Sequence, residues 1–150
     1  MFASGSNLSV ALGVGDGFDK TQTPVHIEAL QDLKVVQIDA NFNSACVTEQ
    51  GELFLWGRGV WGDQPFPQKI LTVSNPVIDL SLGRDVSVAI DDQGLAWSWG
   101  ANTNGQLGVG DQDARVHPFP ILNLKGKVVK RANCGHNFVI CLGNTIRKEI

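Results

Sequence analysis

The stretch WSWGANTNGQLGVGD, residues 97–111, passes directly from a strand-like alternation into a loop rich in glycine and asparagine. A loop of this composition either binds a ligand through its backbone or forms a turn of a repeat. Ninety-five residues earlier, residues 3–16 read ASGSNLSVALGVGD, and seven residues of that stretch match the later one without a gap. A phosphate-binding loop is not normally duplicated within one short chain, so the recurrence indicates a structural repeat.

Two columns of the sequence set the register of this repeat. The first column holds a strand-like segment that ends in glycine and consists of residues 2–5, 54–57 and 97–100. The second column holds short runs of small and apolar residues and consists of residues 44–47, 87–90 and 139–142. Just before the second column, the small residues Ala40, Gly83 and Gly135 align. Both columns have spacings of 43 and 52 residues, so the chain divides into rows at approximately 1–50, 51–93 and 94–150.

Each row predicts about four short strands with a long loop near its middle. Side chains alternate between faces along a strand, so Trp97 and Trp99 share one face and Ser98 points to the other. Further strands are expected around residues 77–82 and 127–133, and residues 26–33 predict no more than one helical turn. Four-stranded units repeated every ~40–50 residues are typical of a β-propeller, so we predict an all-β chain of about three blades.

The third row resembles the regulator of chromosome condensation repeat nearly throughout. The resemblance rests on GANTNGQLGVGD at residues 100–111, on the proline that follows, and on CGHNFVICL at residues 134–142. The first row keeps LGVGD but has Ser4 in place of the family's tryptophan. The second row is nine residues shorter and reads GRGVWGDQPFP at residues 57–67. All three rows replace the histidine that the family places after the inner glycine.

The resemblance implies a closed ring of about seven blades, of which three rows make up less than half. An open arc leaves unpaired strand edges and apolar flanks such as Trp97, Trp99 and Phe138. A further strand is expected to begin within residues 146–150. We therefore expect either a segment of a longer propeller or an arc that another chain completes, giving an oligomer or a larger assembly.

The charge is distributed unevenly along the chain. Residues 1–124 carry 6 Lys/Arg and 14 Asp/Glu, whereas residues 125–150 carry 6 Lys/Arg and one Glu, and the net charge is −3. An acidic body and a basic end suit head-to-tail docking, which high salt is expected to weaken. The alternative is a solvated outer strand followed by a frayed tail.

The composition excludes several classes of protein. Hydrophobic residues make up 43% and charged residues 18% of the 150 residues, which is typical of a globular domain with a core. No apolar run approaches the ~18 residues of a membrane span, and the first residues lack the positive region of a signal peptide. Three cysteines without CxxC spacing favour reduced thiols in an intracellular protein, cytoplasmic or nuclear.

Neither a catalytic site nor a cofactor or metal site is predicted. The three histidines occupy no equivalent positions in the rows, the chain has no tyrosine, and no GxSxG is present. The glycines of residues 105–110 fit neither the dinucleotide nor the Walker spacing. Cys134 and His136 are too few ligands for tetrahedral zinc.

Aspartate follows glycine in all three rows, at Asp16, Asp63 and Asp111. An aspartate in a turn can accept hydrogen bonds from nearby backbone amides. Because a ligand site would rarely be needed three times, we expect these residues to cap turns.

The shortened loop of the second row carries the candidate partner contacts. Trp61 lies in this row-specific segment beside Arg58 and ahead of Phe66, and aromatic and arginine side chains commonly anchor protein interfaces. The alternative is that Trp61 folds back over the shortened blade. A second candidate is an electrostatic edge that consists of Lys127, Lys130 and Arg131.

These observations predict a non-enzymatic scaffold in which rigid blades display variable loops to a protein partner. The resemblance implies an alternative, a guanine-nucleotide exchange factor for a small GTPase or part of one, because the founding member of the family has that activity. No residue here carries over as an exchange residue. A further alternative is a chromatin-associated or DNA-associated module, although the overall acidity and the lack of interleaved aromatic residues disfavour nucleic acid.

Overall fold

The computed structural model describes residues 1–145, which fold into β-strands and two 3-10 helices. The strand start predicted within residues 146–150, together with Arg147 and Lys148, lies outside the described residues. The strands are β1 (Phe2–Ser6), β2 (Lys20–His26), β3 (Val35–Ala40), β4 (Asn43–Thr48), β5 (Leu53–Gly59), β6 (Gly62–Lys69), β7 (Val77–Leu82), β8 (Val86–Asp91), β9 (Ala96–Gly100), β10 (Arg115–Pro120), β11 (Lys127–Cys134) and β12 (Val139–Thr145). The 3-10 helices are Glu28–Leu30 and Leu122–Leu124.

The described strands form two complete antiparallel sheets and two half-sheets. One complete sheet has the order β3-β4-β5-β6 and the other has the order β7-β8-β9-β10. The half-sheets are the pairs β1-β2 and β11-β12. Each complete sheet takes two strands from the end of one predicted row and two from the start of the next.

The sheets are the blades of a β-propeller, which confirms the predicted fold class. Strand β7 contacts β3 on one side and β11 on the other, so these three strands lie at the inner end of their sheets. Strands β6 and β10 lie at the outer ends. The second strands, β4 and β8, are buried along their whole length because neighbouring elements cover both of their faces.

The hydrophobic core lies between successive blades. One cluster joins Leu55 of β5 to Leu80 of β7 and includes Trp99, which is 0% exposed. The expectation that Trp99 would lack a covering blade is therefore wrong, because the sheet of β3 to β6 supplies that cover. Trp97 is half-buried, whereas Phe138 is 55% exposed.

One buried asparagine holds each of the two long loops. Asn7 donates from Nδ2 to the carbonyl of Gly15 at 2.8 Å and accepts at Oδ1 from the N–H of Leu12 at 3.3 Å. Asn102, 95 residues later, accepts in the same way from the N–H of its own loop leucine at 3.0 Å and donates to the carbonyl of Asp113 at 3.1 Å, as Asn7 does to the matching carbonyl of Phe18 at 3.1 Å. The repeated asparagine thus links distant parts of each long loop through its side-chain hydrogen bonds.

The glycines of the long loops lie in turns that require a positive φ. Gly13 and the matching Gly108 have φ of +73° and +66°, a region that residues with a Cβ rarely adopt. Gly105 also has a positive φ, yet the first row places Val10 at that position with a φ of +48°. The loop conformation is therefore imposed by its internal bonds even where the sequence lacks the glycine.

The inner hairpins differ in length by one residue. Ala40 pairs with Ser44, whereas Leu82 rather than Gly83 pairs with Ser87. The sequence alignment of Ala40 with Gly83 is therefore wrong by one position, because the first hairpin is shorter.

Candidate functional site

The second row departs from the other two at the end of the blade where the long loop should lie. Strand β5 instead runs through a tight hairpin into β6, with Gly59 paired to Gly62. This row has 25 residues between Gly57 and Gly83, compared with 34 between Gly100 and Gly135. The loop that would cover the next blade is missing.

The first row shows what that loop normally does. The carbonyl of Ala11 accepts hydrogen bonds from Trp56 Nε1 at 2.8 Å and from Ser44 Oγ at 2.7 Å, so the loop packs onto the following blade. Trp99 and Ser87 hold the matching positions one blade later. Trp99 Nε1 is buried and has no hydrogen-bond partner among the described residues. Ser87 lines an open cleft instead.

The cleft lies between the two complete blades and has a volume of about 320 Å³. Its lining combines aromatic, cationic, anionic and hydroxyl side chains, which are Phe42, Arg58, Trp61, Arg84, Asp85 and Ser87. Mixed apolar and charged lining of this kind is suited to a polypeptide surface, which presents both kinds of group.

Trp61 forms one wall of the cleft. Its indole lies directly against Gly59, where an added Cβ would come within 2.4 Å of the ring. The side chain is half-buried and packs against the core cluster that contains Trp99. Trp61 therefore covers the core cluster of the next blade with an apolar ring, where the first row covers it with a loop carbonyl. The remaining surface of Trp61 lines the cleft.

Two arginines give the cleft its charge pattern. Arg58 donates to both carboxylate oxygens of Asp63, from Nε at 2.7 Å and from Nη2 at 2.9 Å. These hydrogen bonds hold the pKa of Asp63 below its usual value. The Arg84 guanidinium lies 5.4 Å from the centre of the Phe42 ring and 3.8 Å from Asp85. Both guanidinium groups are thereby held by neighbouring side chains, and both arginines line the cleft.

The structure brings together only two of the candidate contact residues. Arg58 and Trp61 both line the cleft, whereas Phe66 lies on the outer strand β6, where it is 50% exposed and contacts Gly15 of the first-row loop. The basic residues lie elsewhere, on exposed positions of β11, and are Lys127, Lys130 and Arg131.

Sequence reasoning missed several residues of the cleft. Phe42, Arg84 and Asp85 come from the two inner hairpins, which no motif marks as functional. Asn43 also lines the cleft, and its Oδ1 is buried without a partner among the described residues. The available signal was the replacement of the family's inner histidine, which falls at Asn43 in the first row.

The expected role of the recurring aspartates holds for one of them. Asp111 accepts from the backbone N–H of Asp113 at 2.9 Å, which lowers its pKa together with the bond from Arg115. Asp63 instead binds the side chain of Arg58, because the shortened hairpin leaves no turn of the same shape to cap.

No metal-binding cluster of three or more His, Cys, Asp or Glu occurs within residues 1–145. Cys134 donates from Sγ to the carbonyl of Ser81 at 3.2 Å, while the exposed His136 contacts Arg84. Burial raises the pKa of Cys46 and of Cys134 to about 11, so both are neutral thiols at physiological pH.

Comparison with known families agrees with the repeat found in the sequence. Two models of the Regulator of chromosome condensation (RCC1) repeat match the chain, one at residues 93–142 and the other at residues 77–106. No helix of the described part of the chain is both long and apolar enough to cross a membrane.

Curated proteins with related sequences are much longer than this chain. The mitochondrial RCC1 domain-containing protein RUG3 of Arabidopsis thaliana is 28% identical over 134 residues, covering 79% of this chain and 30% of RUG3. The human E3 ubiquitin-protein ligase HERC2 is 33% identical over 131 residues, covering 79% of this chain but 3% of HERC2. The chain thus spans less than a third of either relative.

Solved structures share the fold. The crystal structure of Kap60 bound to yeast RCC1 (Prp20) matches with a TM-score of 0.87 at 21% identity, covering 99% of this chain and 39% of the other. Human WBSCR16 matches with a TM-score of 0.81 at 21% identity, covering 97% of this chain and 40% of the other. Both matches extend over nearly all of the arc described here.

Proposed function

Because the chain belongs to the regulator of chromosome condensation repeat family, we propose that it is a non-enzymatic protein-interaction module that binds a protein partner through loops at the ends of its blades. The observation that carries this proposal is the cleft between the two complete blades. It exists because one row lacks its long loop, and Arg58 and Trp61 line it.

The chemistry of the cleft supports a protein partner. Tryptophan and arginine are the residues most often found as interface anchors, and a half-buried anchor loses little conformational entropy on binding. Arg58 is already held by Asp63, and Arg84 by Phe42. The partner that fits offers a projecting loop with an apolar tip and polar flanks. Phe66 and the basic edge of β11 are proposed as separate, additional contacts.

Exchange of guanine nucleotides on a small GTPase is the second candidate function. It is favoured by one relative: yeast Prp20p has a solved structure, described together with its binding properties to Gsp1p and histones. A nucleotide-release assay on a panel of small GTPases distinguishes this function from simple scaffolding. Acceleration of release would assign exchange activity, and binding without release would assign the scaffold.

Association with chromatin is a further candidate, and it would use the exposed basic residues Lys130 and Arg131 of β11. A protein that neutralises phosphates loses DNA affinity steeply as salt rises. A DNA affinity that is already weak at low salt would remove this candidate.

We place the module inside the cell and in a larger assembly. The described residues contain three free cysteines and no disulfide, as is usual in reducing compartments. Among the relatives one is mitochondrial, so the organelle is not assigned. The open edges of the two half-sheets call for further strands, which only an assembly or a longer chain provides.

The proposed loop contact is tested by quantitative affinity capture with Trp61→Ala and a matched control. Phe119→Ala removes a different aromatic side chain that lies beside an arginine, since Arg115 lies 4.9 Å from the Phe119 ring on a different blade. We expect Trp61→Ala to reduce one or more captured proteins at least about tenfold, as for loss of an interface anchor, and Phe119→Ala to leave them unchanged.

Thermal unfolding of both variants accompanies the capture. If Trp61→Ala remains folded and captures the same proteins as the wild type, the cleft is not the contact site. If Trp61→Ala unfolds, Trp61 is a core residue, and Arg58→Ala then tests the cleft in its place.

A further inference from the structure

We propose that the inner pair β11-β12 of one copy fills the groove between β1 and β3 of a second copy, with β12 pairing antiparallel to β1 of that copy. This inference deepens the assembly part of the proposed function and rests on it. It does not depend on the cleft at Trp61.

The two half-sheets are complementary parts of one blade. In both complete blades an inner pair is followed by an outer pair, and the second inner strand bonds to the first outer strand. The pair β11-β12 has the inner character and the pair β1-β2 has the outer character. Placing β12 beside β1 therefore gives the order of a complete blade.

Strand β12 has backbone N–H and C=O groups that point away from β11, as pairing with a further strand requires. The N–H of Gly135 donates to the carbonyl of Phe138 at 2.8 Å, which makes these residues a hydrogen-bonded pair. Bonded pairs alternate with unbonded pairs along an antiparallel ladder, so Val139 and Cys141 direct their N–H and C=O groups away from β11. Both residues are therefore available to a strand on the open side.

Strand β1 has the matching pattern. The carbonyl of Met1 accepts from the N–H of Ile27 of the neighbouring strand segment at 3.0 Å, so Phe2 directs its groups to the open edge. The same bond occurs in both complete blades, at the carbonyls of Leu53 and Ala96, which hold the equivalent positions. Strand β1 therefore has the hydrogen-bonding pattern of the third strand of a blade. Its sheet within the described residues contains only β1 and β2 and lacks the second strand that would pair with its open edge.

The complete blades fix the register of the proposed pairing. Ala45 pairs with Leu55 in one blade, and Val88 pairs with Ser98 in the other. At the spacings of the repeat, the equivalent pair is Ile140 of one copy with Ala3 of the second copy. On either side, Val139 would face Ser4, and Cys141 would face Phe2.

An apolar groove already marks the place of the inner pair. It has a volume of about 430 Å³ and lies between β1 and β3. Ile38 on its wall is 64% exposed, whereas Leu80, which holds the same pairing position in the next blade, is 4% exposed. Ile140 is 65% exposed, compared with 1% for Ala45. Insertion of β12 would bury both isoleucines in the arrangement that the complete blades show.

Charge also favours this arrangement. Residues 125–145, which include β11 and β12, carry four Lys/Arg and no Asp or Glu. Residues 1–33, which include β1 and β2, carry four Asp/Glu and one Lys. The two surfaces attract each other and repel their own kind, so head-to-tail contact between copies is favoured over head-to-head contact.

Each pairing joins different surfaces of the two copies, and a two-fold dimer makes the pairing twice, once in each direction. Residues 1–145 of each copy contribute two complete blades and the two halves of a third, so a closed dimer of these residues has about six blades, within the range of known propellers. We expect a dimer of the 16.2 kDa chain.

The first test compares the mass in solution of the wild type, Ile140→Asp and the control Ile78→Asp. Ile78 is 56% exposed on the inner strand β7 but lies outside the groove. We expect Ile140→Asp to raise the dissociation constant of the dimer at least about tenfold, because a carboxylate would be buried in an apolar groove. Ile78→Asp should remain a dimer. A monomeric wild type would overturn the proposal, and the missing strands would then have to come from a different partner or from a longer chain.

The second test reads the register by disulfide trapping between two separately purified variants, Ala3→Cys and Ile140→Cys. Both carry Cys134→Ser and Cys141→Ala, while the buried Cys46 stays. The proposed pair is unbonded, with Cα atoms about 4.5 Å apart, within the reach of a disulfide. Mixing should trap a covalent dimer, and Ser4→Cys with Ile140→Cys, which points to the opposite face, should not.

The outcomes of the two tests separate the proposals. An oligomer that is not trapped at positions 3 and 140, or is trapped equally well at positions 4 and 140, overturns the strand pairing and leaves the assembly intact. Neither result bears on the affinity capture that tests the cleft.

Discussion

Trp56 and Trp99 occupy equivalent positions in two successive blades, and they differ in whether the indole N–H has a hydrogen-bond acceptor. Trp56 donates to the Ala11 carbonyl, whereas Trp99 has no partner among the described residues, although both rings are buried. A buried donor without an acceptor has lost its bonds to water and has regained none. The difference comes from the second-row loop and not from the tryptophans themselves.

We predict that Trp56→Phe lowers the free energy of unfolding by about 1 kcal/mol more than Trp99→Phe does. Both substitutions remove similar volume from the core, but only Trp56→Phe removes a hydrogen bond. Urea denaturation of the two variants measures the difference, and each serves as the control for the other. Equal losses would show that Trp99 Nε1 is satisfied in solution.

At the scale of the structural element, the long loops depend on one side chain. Asn102 bonds at both ends of its loop, accepting from the N–H of Leu107 and donating to the carbonyls of Asp111 and Asp113. Val10 shows that such a loop tolerates an unfavourable backbone angle when these bonds are present. The asparagine therefore contributes more to the loop than any one of the glycines that make it conspicuous in the sequence.

We predict that Asn102→Ala lowers the free energy of unfolding by about 2 to 3 kcal/mol, because it leaves the buried N–H of Leu107 and the loop carbonyls unpaired. Asn104→Ala in the same loop is the control, since Asn104 is exposed and should change stability by less than about 0.5 kcal/mol. Denaturant unfolding gives both values. Similar values for the two variants would contradict the role given to Asn102.

At the scale of the whole molecule, the arc combines apolar and electrostatic contributions at its open ends. The exposed isoleucines of the groove favour association at any ionic strength. The basic end and the acidic first 33 residues add an attraction that salt screens. The balance between the two terms can be measured.

We predict that self-association weakens several-fold, but persists, when the ionic strength rises from about 0.1 M to about 1 M and the Debye length falls from about 10 Å to about 3 Å. Light scattering over a concentration series measures the change. The double variant Lys130→Glu and Arg131→Glu should associate more weakly at low salt and show little salt dependence. Association that strengthens with salt in the wild type would show that the apolar groove acts alone.

The sequence by itself determined the fold class and the repeat. Both follow from local properties, which are the positions of the glycines, the alternation along strands and the spacing of similar segments. These properties can be read from the sequence because each blade repeats the same short-range geometry. The same patterns identified Arg58 and Trp61 as residues of an unusual row. They also placed Phe66 with them, whereas its ring contacts the first-row loop.

Only the tertiary structure decided which surfaces are open. The cleft is lined by residues from three separate hairpins. Trp99 Nε1 lacks a partner because the long loop is missing about 40 residues earlier in the chain, and the sequence around Trp99 gives no sign of this. The offset between rows and sheets, which leaves an outer pair and an inner pair incomplete, is a matter of strand pairing between rows. Contacts between residues distant in sequence determine burial, and burial determines which groups are left to bind a partner.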